Sequence, residues 1–193
     1  MKTKLPNLVI VRHGETQWSL SGRHTGRSDI PLTANGESAA RQLPARLPAL
    51  DYKAVLTSPS KRARRTCELA GFADTARVDD NLAEWDYGRY EGLTTSEIQT
   101  EAAGWTVFRD GCPGGEMSAD VGSRADTVIA AVRAVAGDVL IFSSAHFLRV
   151  LSARWLGLRP EAGSLFTLDT TSISILGYEH NLDEPVIRQW NQT

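Results

Sequence analysis

The chain has 193 residues, with 21 Lys+Arg against 23 Asp+Glu and a formal net charge of −2. That length suits one domain spanning residues 1–193, since single cores run to about 200 residues before chains divide. The near-neutral balance excludes the basic excess of dedicated nucleic-acid or anionic-membrane binders, and Cys67 and Cys112 are too few for a disulfide framework and lack metal-ligand spacing.

Leu8–Val11 is a short apolar, largely β-branched run and predicts a buried central strand. Arg12 ends it, so it does not read as a signal peptide, and no stretch approaches the roughly 20 apolar residues of a membrane span. A cytoplasmic location is expected. After a loop from Gly14 to Thr33, Thr33 is placed to cap a helix through Leu43, with Pro44 and Pro48 stopping or kinking it. Ala54–Leu56 predicts a second strand. Ser58 and Pro59 then open a helix as N-cap and first helical residue, and Gly71 closes it. From Asp79 to Gly115 the sequence is irregular, with a short helix near Thr95–Ala103. Val121, Ala125, Val128, Val132 and Val135 mark one face of a helix that begins at Ser118 and ends at Gly137. Val139–Phe142 predicts another buried strand and Phe147–Leu156 an apolar helix. Ser172–Tyr178 and Pro185–Trp190 predict a final strand pair. The alternation implies an α/β fold with a mostly parallel central sheet flanked by helices.

In open α/β sheets ligands bind beyond the carboxyl ends of the strands. Three such ends carry polar clusters: Arg12 to Thr16, Thr57 to Arg62, and Ser143 to His146. A fourth cluster, Glu84 to Gly88, lies in the irregular segment. This set suits phosphoryl chemistry. Arg12 and Arg62 can fork around phosphate oxygens, and Arg62 falls in a first helical turn, where free backbone N–H groups also favour an anion. Neutral His13 can attack phosphorus, and Glu84 can protonate the leaving oxygen provided that burial or nearby negative charge raises its pKa. Lys61, Arg64 and Arg65 read as a solvated helix face.

Arg12, His13 and Gly14 with Glu15 and Thr16 resemble the Arg-His-Gly motif of the histidine phosphatase superfamily, also termed the phosphoglycerate mutase-like family. Thr25 and Gly26, Pro31 to Thr33, Ser58 and Pro59 with Arg62 and Ala63, Glu84 to Gly88, Gly114 to Glu116 and Arg149 follow in the family's order. The resemblance implies a three-layer α/β/α sandwich and a metal-independent phosphatase without a cofactor. It also implies a covalent phosphohistidine on His13, phosphate contacts from Arg12 and Arg62, and proton donation by Glu84. Gly22 to Gly26 and Ala145 to Arg149 are most similar to the branch of small sugar-phosphate phosphatases, including sedoheptulose bisphosphatase-like proteins. A substrate pocket formed by Ser19, His24, Thr25, Gly26, Tyr87, Ala145 and His146 is expected for a small phosphorylated or otherwise anionic metabolite. His24 and His146 read equally as structural hydrogen-bonders, and a homodimer is compatible with the family.

One departure stands out. The family's second catalytic histidine lies five residues before the arginine matched by Arg149, and that position here is Ser144. Ala145 stands in place of a glycine, and Met117 in place of a serine. A serine hydroxyl can still donate, but it is shorter and neutral, and losing one such donor costs about 10²–10³ in rate. The expected function is therefore a phosphatase, slowed at position 144. The alternatives are a diverged enzyme that uses the anion pocket for another reaction, or a non-catalytic binder of a phosphorylated ligand.

Overall fold

The computed structural model describes residues 5–193. Its centre is β1 (Leu8–Arg12), whose first four side chains are completely shielded from water, as an uninterrupted apolar run requires. β2 (Tyr52–Thr57), β3 (Ala76–Val78), β4 (Asp138–Ser143), β5 (Ile173–Tyr178) and β6 (Pro185–Gln192) complete one sheet in the order β3-β2-β4-β1-β5-β6. β3, β2, β4 and β1 pair in parallel, and β5 is antiparallel to both β1 and β6.

Because alternate side chains of a strand face opposite ways, the sheet supplies two cores. Leu8, Ile10, Val139 and Ile141 face α7 (Ser118–Arg133) and α8 (Ala145–Trp155). Val9, Val11, Leu140 and Phe142 face α2 (Ala34–Ala40), α3 (Leu43–Arg46) and α4 (Lys61–Cys67). This is the expected α/β/α sandwich. The remaining helices are α1 (Gln17–Leu20), α5 (Thr95–Glu101) and α6 (Val107–Asp110).

Several boundaries differ from the sequence reading for identifiable reasons. The helix expected from Thr33 to Leu43 divides into α2 and α3, and Pro44 falls in the first turn of the latter, where its missing N–H costs nothing. α4 starts at Lys61 rather than Pro59, because the Ser58 N–H still bonds along the sheet to the Phe142 carbonyl at 2.9 Å. Gly71 does end this helix, at φ +90° within a π-helical turn from Glu68 to Phe72. α7 stops at Arg133, leaving Val135 beyond it, while α8 starts two residues earlier than expected. β3 has only three residues, all with some exposure, and offers no apolar run to recognise.

Gly36 shows how closely α2 approaches the loop after β1. A Cβ there would lie 2.3 Å from the Glu15 carbonyl oxygen and 2.8 Å from its nitrogen, both backbone atoms that cannot swing aside. Gly36→Ala is expected to lower unfolding stability by about 1–3 kcal/mol, the usual cost of overpacking. Exposed Ser38→Ala serves as the control in urea denaturation; equal midpoints for the two variants would contradict this close approach.

Candidate active site

Parallel pairing sets Arg12 opposite Ser143, so the chain leaves β1 and β4 side by side. His13 follows, 4% exposed, with its backbone N–H donating to the Ser143 carbonyl at 2.9 Å. Its Nδ1 lies 2.7 Å from the Gly14 carbonyl. A carbonyl can only accept, so Nδ1 carries the proton and Nε2 keeps its lone pair. Burial, with the nearby Arg62 and Arg12 charges, holds the imidazole well below its usual pKa. His13 is thus a neutral imidazole whose Nε2 carries the free lone pair.

Arg62, in the first turn of α4, is fully buried. Its Nη1 donates to the Ser28 carbonyl at 3.0 Å, and its Nη2 to those of Thr25 and Gly26 at 2.8 and 3.1 Å. The Glu91 carboxylate holds the same loop from the other side by accepting the N–H groups of Gly26 and Ser28. Gly26 has to be glycine, since a Cβ would lie 2.5 Å from the Trp85 carbonyl oxygen. Arg12 donates through Nη1 to the Leu168 carbonyl. Burial lowers both guanidinium pKa values, with Glu84 opposing the shift; arginine starts so basic that both stay charged at neutral pH. The Nε atoms of Arg12 and Arg62 are buried and have no acceptor among the described residues.

Glu84 occupies a position that its sequence context does not reveal. Its carboxylate accepts from the N–H groups of His146 at 3.0 Å and Phe147 at 2.7 Å, both in the first turn of α8, and from that of Trp85 at 2.9 Å. Such a cap satisfies donors that a helix start leaves free.

A cavity of about 160 Å³ lies over His13, bordered by Arg12, Ser19, His24, Thr25, Glu84, Tyr87, Ala145 and His146, with Gly22 and Arg23 at its rim. Six of the seven expected pocket residues therefore line it. The exception is Gly26, which borders a neighbouring cavity of about 410 Å³ on which Glu84 also opens. Ser19 spends its hydroxyl on the backbone of Thr16. His24 and His146 combine both readings of their role: they border the cavity, and each also makes a hydrogen bond, His24 Nε2 with Thr95 Oγ1 at 3.3 Å and His146 Nδ1 with Tyr87 Oη at 2.6 Å. Ser144 is fully buried at the N-cap of α8, with Oγ 3.4 Å from Arg62 Nη2. Neither Ser144 nor Arg62 borders the cavity over His13.

Other matched positions are structural. Arg149 donates to the Gly163 carbonyl at 3.0 Å and lies 4.5 Å above the Phe108 ring. Arg65 pairs with Glu37 and Glu68, and Arg64 is exposed, as a solvated face requires. Sequence reasoning missed Glu91 and Thr66. The Thr66 hydroxyl accepts from the Gly14 N–H at 2.9 Å and donates to the Arg62 carbonyl at 2.7 Å, tying the loop after β1 to α4. Thr171 was missed as well. Its N–H donates to the Arg12 and His13 carbonyls from a φ of +55°, a conformation that costs a β-branched residue about 1–3 kcal/mol.

Two outcomes follow. Glu84→Ala leaves the first N–H groups of α8 without their cap and is expected to lower stability by about 0.5–2 kcal/mol; thermal melts matching the wild type would contradict the capping role. The second outcome concerns pH. His13, His24 and His146 are all held below the usual imidazole value of 6.5, each mainly by burial. The folded chain then refuses protons that the unfolded chain takes up. Stability is full above pH 6.5 and falls as pH drops through it, by about 1.4 kcal/mol per pH unit for each excluded proton. Urea unfolding at about pH 7.5 and 5.5 checks this, and a flat profile would contradict it.

Comparison with known proteins identifies the family. The family model for the histidine phosphatase superfamily (branch 1) matches residues 8–193. An acid phosphatase of Mycobacterium tuberculosis is 43% identical, over 91% of this chain and 88% of that protein. The sedoheptulose 1,7-bisphosphatase of Saccharomyces cerevisiae is 31% identical, over 97% and 93%. Among solved structures, the product of a Mycobacterium tuberculosis open reading frame superposes with a TM-score of 0.93 at 40% identity, covering 98% of this chain and 99% of that one. The alpha-ribazole phosphatase of Shigella flexneri superposes at 0.83 with 27% identity, covering 96% of each. His13, Arg12, Arg62 and Glu84 thus sit in a chain that belongs to branch 1 of the histidine phosphatase superfamily and is a phosphatase-type hydrolase of that family.

Proposed function

We propose that this chain hydrolyses monoesters of a small phosphorylated metabolite, without a metal, through a phosphohistidine on His13. The observation that carries this reading is the pair of buried, unpartnered guanidinium Nε atoms of Arg12 and Arg62. An unpaired buried donor costs about 1–3 kcal/mol, more when charged, and the tetrahedral oxygens of a phosphoryl group would satisfy both. His13 Nε2 attacks phosphorus as the ester P–O bond breaks, and Glu84 supplies the proton that the leaving oxygen needs. Water then attacks the phosphorus, the N–P bond breaks, and Glu84 takes the proton back. The relatives named for sedoheptulose 1,7-bisphosphate and alpha-ribazole phosphate support a sugar-phosphate-like substrate.

Ser144 lies off the cavity wall, where its hydroxyl accepts from Arg62. Turnover is therefore expected below that of a site with a second histidine at this position, by up to the roughly 10²–10³ that one preorganised donor is worth. The test is incubation with a panel of phosphorylated metabolites, an alkaline quench and mass spectrometry. An acid-labile phosphoryl adduct on His13, lost together with turnover in His13→Ala, is expected. An adduct on another residue, or unchanged turnover in that variant, would overturn the proposal.

A further inference from the structure

With serine at position 144, the phosphoryl oxygens need another donor. His146 is placed differently from a plain pocket residue. It lies in the first turn of α8 and borders the same cavity as His13 and Arg12. At about 160 Å³, that cavity has room for a phosphoryl group on His13. The His146 ring is fixed in direction by edge contacts to Phe108 and Trp85, with centroids 5.2 and 6.5 Å away, and by His24 at 5.8 Å.

Its tautomer is fixed too. Tyr87 is 1% exposed, and its hydroxyl lies 2.6 Å from His146 Nδ1, the one hydrogen bond that this hydroxyl makes among the described residues. Were Nδ1 to carry the proton, the phenolic hydrogen would be buried without an acceptor. With the phenol donating, Nδ1 accepts and the proton sits on Nε2, which has no partner among the described residues. Burial keeps both groups neutral, raising the phenol pKa and lowering that of the imidazole.

We propose that His146 Nε2–H, held in that tautomer by the Tyr87 hydroxyl, donates to the transferring phosphoryl oxygens in place of an imidazole at position 144. His146 is then a catalytic residue and Tyr87 a positioning residue. This assignment rests on the phosphoryl-transfer reading above. It gives the site a neutral donor and leaves the positive charge to Arg12 and Arg62.

Orthovanadate serves as the probe, because it presents phosphoryl-like oxygens without needing turnover. His146→Ala is expected to bind it about 10- to 100-fold more weakly, the range for a hydrogen bond to a charged group, whereas His146→Gln, which keeps an N–H donor, stays within about threefold of the wild type. ¹⁵N NMR of the intact protein is expected to show the Nε2–H tautomer at His146, changing to a mixture in Tyr87→Phe. Wild-type vanadate affinity in His146→Ala, equal losses in the Ala and Gln variants, or an Nδ1–H tautomer in the wild type would each overturn the assignment. A wild type that hydrolyses no phosphomonoester yet binds vanadate through His146 would sink the phosphatase reading and keep this one. Hydrolysis with binding indifferent to His146 would do the reverse.

Discussion

A fully buried Arg62 and a half-buried Arg12 beside one imidazole set the terms for the rest of this structure. Taking a charge out of water costs several kcal/mol unless hydrogen bonds replace the lost solvation. Arg62 meets that cost with three carbonyls of the 25–28 loop. Glu91 in turn holds the loop by its N–H groups, and Thr66 ties α4 to Gly14. The two charges also help to keep His13 unprotonated. One arrangement therefore supplies both the two fixed positive charges and the neutral imidazole, and the left-handed Thr171 beside it is a strain that the surrounding contacts sustain.

Glu84 links this centre to α8. By capping the helix it holds the backbone of His146 and Phe147, so the Glu84 carboxylate and the cavity wall form one unit. It also opens on the larger neighbouring cavity, which borders the Gly26 loop and Ser58.

Much of this was legible from sequence because strand ends announce themselves. Leu8–Val11 and Val139–Phe142 are apolar runs that end abruptly in polar clusters, and α/β topology brings such ends together. Arg62 could be separated from Arg64 and Arg65 because it alone matched the ordered motif, and burial separates them in the structure. What stayed hidden were interactions between segments distant in sequence. Glu91 and Thr66 have no local signature, and Glu84 capping α8 joins residues about sixty positions apart. Tyr87 and His146 were each legible as pocket residues, but their hydrogen bond was not. β3 was missed because three half-exposed residues carry no periodicity.

Ser144 shows how sequence and geometry inform each other. The sequence locates the departure by its spacing from Arg149, and the structure shows that the serine sits at a helix cap within 3.4 Å of Arg62 rather than on the cavity wall. The account's central claim is that the Nε atoms of Arg12 and Arg62 are donors for phosphoryl oxygens around a neutral His13. A crystal structure with orthovanadate tests it most directly. The prediction is vanadium bonded to or in line with His13 Nε2, with Nε of both arginines donating to its oxygens. Vanadate bound away from His13, or both Nε atoms still unpartnered in its presence, would contradict the account.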